Sequence, residues 1–150
     1  MNLEFVEKLR NDFPQFNFEE GDDFYWSKKE NTIFFEPESS NFHLLILHEL
    51  AHALLGHEDF WLDIELLKME SEAWELVRNN LTEQYGFCFN SNLAESKLDT
   101  YRDWLHKRSL CPKCKLNGFQ QKDLMYKCPA CGTEWRNNDS RFKSLRRKIK

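Results

Sequence analysis

The sequence predicts an α+β fold in two parts. A short antiparallel hairpin or sheet packs on a helix with further helices around it, and a small cysteine-rich module follows. Three observations carry this expectation. Two aromatic and β-branched runs, 23–26 (DFYW) and 32–35 (TIFF), flank the polar stretch SKKEN, the pattern of a hairpin. Residues 42–57 and 63–81 space their apolar side chains with a helical period. Four of the five cysteines fall in two C-x-x-C pairs between residues 111 and 131.

The elements follow in order. Residues 3–10 (LEFVEKLR) read as a short amphipathic helix ending before Pro14. The hairpin comes next, and Pro37, Ser39, Ser40 and Asn41 then supply start signals for a helix over FHLLILHELAHALLGH. Gly56 is a natural stop for that helix. A second helix is expected over about 63–81 and a third over about 94–107. In the cysteine-rich segment, GFQQKDLMYK reads as a hairpin and TEWRN as a third strand. Domain boundaries are expected at 1–108, 109–136 and a basic tail over 137–150.

Composition limits the function classes. With 41% hydrophobic and 15% aromatic residues, 150 residues make one modest core with a small appendage rather than a disordered chain. No run approaches the roughly 18 apolar residues of a membrane helix, so no membrane partner is expected. The start MNLEFVEKLR lacks a signal-peptide core, which points to a cytoplasmic protein. In a reducing compartment, paired cysteines indicate metal rather than disulfides. Cys88, between Phe87 and Phe89, reads as a buried small hydrophobe. The net charge of −4 is uneven: seven basic groups and one Asp make residues 136–150 +6, so residues 1–135 carry −10. Such a tail suits an anionic partner, either nucleic acid through Arg141, Lys143, Arg146, Arg147 and Lys148 or the acidic body itself, and equally a solubilising terminus.

His48-Glu49-Leu50-Ala51-His52 matches H-E-x-x-H. On a helix, residues four apart lie about 40° apart around the axis, so both imidazoles reach one ion. Glu49, about 100° round, addresses a water on that ion without ligating it. This is the chemistry of a metallopeptidase: zinc lowers the pKa of its water to about 7 and the carboxylate takes the proton. The two histidines lie in the apolar stripe of their helix with Leu44, Leu45, Ala51 and Leu55, where a buried imidazole needs a partner. Glu70 sits at the centre of the next helix's stripe, with Leu66, Leu67, Ala73, Trp74, Val77 and Leu81 within roughly 60°. Glu72 falls on the opposite, solvated side. A buried carboxylate must be neutralised by a proton, a cation or a metal, so Glu70 is the expected third ligand, with a structural salt bridge as the bland alternative. His57, just past Gly56, competes for the ligand role.

HELAHALLGH followed by ESEAW resembles the ImmA/IrrE family of gluzincin-like metallopeptidases over about residues 24–82. The resemblance implies a zincin-like catalytic domain with His48, His52 and Glu70 as zinc ligands and Glu49 as general base. It also implies an edge strand on the cleft rim, for which Thr32–Phe35 is the candidate and to which an extended substrate adds as a strand. In such families the position after Ala73 is often Asn or Asp, bracing a ligand histidine. Here it is Trp74, so the brace must come from elsewhere. His57 and Tyr85 are the candidates for oxyanion stabilisation.

Cys111-Pro112-Lys113-Cys114 and Cys128-Pro129-Ala130-Cys131, thirteen residues apart, predict a structural zinc ribbon whose four thiolates saturate the ion. Two zinc ions per chain are therefore expected, one catalytic and one structural. The function read from these features is zinc-dependent endopeptidase cleavage of a specific cytosolic protein, for which the resemblance implies a regulatory, DNA-associated target. One alternative is a SprT-like, DNA-associated protease, a class that also joins H-E-x-x-H to a zinc ribbon but uses a third histidine. The other is a non-catalytic ribbon that binds nucleic acid or protein. The oligomeric state is open.

Overall fold

The apolar spacing at the N-terminus does form a helix: α1 spans Asn2–Asp12 and buries Phe5, Val6 and Leu9. The computed structural model describes residues 1–139 and 144–150 as a mixed α+β chain. The chain divides into two compact units, Met1–Asp59 with Met69–Ala94, and Phe60–Lys68 with Glu95–Lys150. No helix among the described residues is long and apolar enough to cross a membrane.

In the first unit, β1 (Asn17–Glu20), β2 (Tyr25–Ser27) and β3 (Thr32–Phe35) form a sheet in the order β1-β3-β2. The β2–β3 hairpin is antiparallel, with Trp26 opposite Ile33, and its turn places Asn31 at a φ of 52°, which asparagine tolerates better than most residues. The sequence pattern does not disclose β1, which pairs in parallel with β3. The expectation that Thr32–Phe35 is the exposed rim is corrected by this: β3 is the central strand, with Thr32, Ile33 and Phe35 buried. The two edges are β1 and β2.

Helix α2 (Phe42–Leu54) buries nine of its thirteen residues, so it is a core helix rather than a surface one. Ile46, Leu47, Leu50 and Ala51 are fully buried. Gly56 ends it, at a φ of 69°. The amide of Gly56 donates to the Ala53 carbonyl (3.1 Å) and the amide of His57 to the His52 carbonyl (3.0 Å). This is a Schellman closure, which folds the residue after the glycine back over the last turn.

Helix α3 spans Asp63–Leu76, and the expected continuous helix to residue 81 is interrupted by a π turn, Val77–Leu81, before the short α4, Thr82–Tyr85. The Thr82 hydroxyl donates to the Val77 carbonyl (2.9 Å) and helps satisfy the loosened turn. Beyond α4 the chain is extended. Phe87 packs on Phe5 and His43, and Phe89 on Trp74. Cys88 between them is exposed, against expectation, because alternation along an extended segment sends it to the other side.

In the second unit, α5 (Ser91–Ser109, of which Glu95 onward belongs here) leads into β4 (Phe119–Lys122), β5 (Met125–Lys127), β6 (Glu134–Asn137) and β7 (Arg147–Ile149), an antiparallel sheet in chain order. The hairpin and the third strand lie where the sequence placed them. The fourth strand was expected as part of a tail; Trp135 pairs with Ile149 across it. A buried ion pair anchors the sheet: the Arg108 Nε donates to Asp63 Oδ2 (2.7 Å), and the Tyr126 hydroxyl donates to the same oxygen (2.7 Å). Trp135 Nε1 and Asn137 Nδ2 both donate to the Arg108 carbonyl (3.2 and 3.1 Å).

Candidate functional site

All residues of the first site lie in the first unit. His48 and His52, four apart on α2, face the same way, and Glu70 reaches them from α3. Glu70 Oε2 is 2.7 Å from His48 Nε2 and 2.8 Å from His52 Nε2, and the two nitrogens are 3.1 Å apart. The three residues are 6%, 9% and 6% exposed. Three donor atoms at this spacing suit one small cation: nitrogen and oxygen ligands about 2.0–2.1 Å from a tetrahedral zinc stand only about 3.3 Å from one another.

The electrostatics agree with that fit. Burial pushes the Glu70 carboxyl up, but hydrogen bonds and charge from His48 and His52 outweigh it and hold the group well below the usual carboxylate range. Burial lowers His48 despite the neighbouring carboxylate, favouring the neutral imidazole that ligates metal. Glu49 is half-buried, with its carboxylate within 4.8 Å of the His48 and His52 ligand atoms. Burial pushes its carboxyl up to about 8, with the His52 charge and a hydrogen bond from the Trp26 backbone pulling the other way. Trp26 belongs to β2, so that edge strand borders the site.

His57 does not join the Nε2–Oε2 cluster. Its Nδ1 lies 2.8 Å from His52 Nδ1, at the back of that ring, and its Nε2 lies 3.3 Å from Glu72 Oε2. Helical periodicity alone sets Glu72 on the solvated side of its helix and leaves the direction of His57 open. A signal was present: a helix closed at Gly56 returns residue 57 to the carbonyl of residue 52. Among the described residues Trp74 makes no hydrogen bond to the site; its ring stacks on His48 at 4.1 Å and 23°. Nδ1 of His48 is buried with no hydrogen-bond partner among the described residues. The Tyr85 hydroxyl, an oxyanion candidate, donates instead to Asp12 Oδ2 (2.7 Å).

The second unit brings all four ribbon cysteines together. Cys111 and Cys131 Sγ are 3.6 Å apart, Cys114 and Cys128 Sγ 3.4 Å, and all four sulfurs lie within 4.8 Å of one another. Thiolates about 2.3 Å from a tetrahedral zinc stand about 3.8 Å apart, so this cluster also fits one ion. Each C-x-x-C pair closes the same turn: the amide of Lys115 donates to the Cys111 carbonyl (3.1 Å) and that of Gly132 to the Cys128 carbonyl (3.0 Å).

Of the basic candidates, Arg141 and Lys143 lie outside the described residues. Arg147 donates to the Leu110 carbonyl, a structural contact, while Arg146 and Lys148 are exposed. Comparison with known protein families, with curated proteins and with solved structures finds no match to this chain.

Proposed function

We propose that the chain is a zinc metallo-endopeptidase of the gluzincin kind, similar to the ImmA/IrrE family, acting on a protein substrate. The observation that carries this reading is the convergence of Glu70 Oε2 on the Nε2 atoms of His48 and His52 at 2.7 and 2.8 Å. A carboxylate in that place favours it over the SprT-like alternative, which takes a third histidine. The four-cysteine cluster has no ligand position to spare and is read as structural zinc.

Zinc held by His48, His52 and Glu70 would supply Lewis-acid polarisation of a scissile carbonyl and acidify a water to a pKa of about 7. The chain's own residues do the rest. With the charge of a bound ion offsetting the burial that raises its pKa, the Glu49 carboxylate takes a proton from the attacking water and passes it to the leaving amine. The β2 edge, whose Trp26 backbone faces Glu49, offers hydrogen-bonding groups along which an extended peptide can lie.

Glu49→Gln tests the reading. The variant should retain two zinc ions per chain by metal analysis and lose at least about 100-fold in cleavage of an unstructured protein such as casein. Cleavage at the wild-type rate by the metal-loaded variant would end the peptidase assignment.

A further inference from the structure

Around the site, the two histidines are supported unequally. His48 stacks on Trp74, and its Nδ1 has no hydrogen-bond partner among the described residues. Behind His52 runs a chain of polar atoms: His52 Nδ1 to His57 Nδ1 at 2.8 Å, then His57 Nε2 to Glu72 Oε2 at 3.3 Å. Protons fit this chain in a single order when His52 acts as a ligand. A lone pair on His52 Nε2 puts its proton on Nδ1. His57 Nδ1 must then accept, so the His57 proton sits on Nε2, where it meets the carboxylate of Glu72.

We infer that His57 and Glu72 are positioning residues for metal binding, a carboxylate–histidine pair that fixes the tautomer and ring orientation of His52. The inference rests on the proposed metal site. His57 owes its place to the Schellman closure at Gly56, and its backbone is also held from outside, since Trp26 Nε1 donates to the His57 carbonyl (3.0 Å). Hydrogen-bonded partners of ligand histidines raise their basicity, and losing one costs about 10–100-fold in metal affinity. In this chain the pair supplies, for His52, the bracing that Trp74 does not supply for His48.

The test uses the full chain with its ribbon site filled, and zinc affinity at the first site measured by competition with a chelator. His48→Ala should abolish that site. His57→Ala should weaken it about 10–100-fold. His57→Asn places an amide oxygen near the Nδ1 position and should restore most of the loss, which a purely packing role would not. Glu72→Ala should weaken zinc binding in the wild-type background and have no effect in His57→Asn, because the asparagine does not reach residue 72. Nitrogen-15 NMR of the zinc-loaded protein should show His57 as the Nε2–H tautomer. Unchanged affinity in His57→Ala, or a His57 protonated on Nδ1, would overturn the inference while leaving the metal site standing. A wild-type chain with no zinc sensitive to His48→Ala would overturn both.

Discussion

A carboxylate among apolar side chains is costly unless something compensates it, and Glu70 shows how that constraint turns into chemistry. It is 6% exposed, and its Oε2 is held by two imidazoles at hydrogen-bonding distance. Glu70→Gln preserves volume but removes the charge that would hold a cation. We expect this variant to stay folded and to carry one metal ion in place of two, the ion retained being that of the four cysteines. Two ions per chain in purified Glu70→Gln would show that the imidazoles and another group suffice. The convergence of these three residues could be read from sequence because helical periodicity alone aligns His48 with His52 and centres Glu70 in a stripe. The support behind them could not. The contact between His57 and His52 depends on a chain reversal, and Glu72, 200° from Glu70 at about 100° per residue, looks solvated on any helical wheel. Its long side chain meets a histidine that does not belong to its own helix.

At the scale of elements, strong periodic patterns survived and weak ones did not. The β2 and β3 strands and the helices α2 and α5 lie within a few residues of expectation. Strand β1 (NFEE) offers one buried apolar residue, Phe18, and draws its stability from parallel pairing with β3, which leaves no local pattern to read. That pairing is also what moved β3 from rim to centre. The end of α2 makes a quantitative expectation possible. Gly56 holds a φ of 69°, and a Cβ built there meets nothing within 4 Å. The cost of Gly56→Ala is therefore backbone strain alone, about 1–2 kcal/mol. The urea midpoint of the first unit should fall accordingly; an unchanged midpoint would mean that the helix ends without this closure.

The whole molecule divides its stability between two cores of different kinds. The first unit buries a conventional apolar cluster around α2 and needs no ion to account for its packing. Among the described residues, the ribbon's buried cluster is Cys111, Tyr126, Cys128 and Trp135, and two of these four belong to the four-cysteine group. Gly118 adds a close approach, since a Cβ there would stand 2.5 Å from Trp135 and 2.7 Å from the Lys127 carbonyl. So small a cluster gives little hydrophobic free energy, whereas zinc binding in small isolated modules is worth about 10–16 kcal/mol. The buried Asp63–Arg108 pair cannot substitute for the ion, because such a pair roughly offsets its own desolvation. Cys114→Ser should therefore release one zinc and collapse the amide dispersion of residues 110–137 in NMR spectra. Resonances of Ile33, Ile46 and Leu50, in the core of the first unit, should hold their positions. If the ribbon signals persist in the zinc-free variant, its strands are held by packing and the Asp63–Arg108–Tyr126 network, and the metal only decorates a preformed sheet.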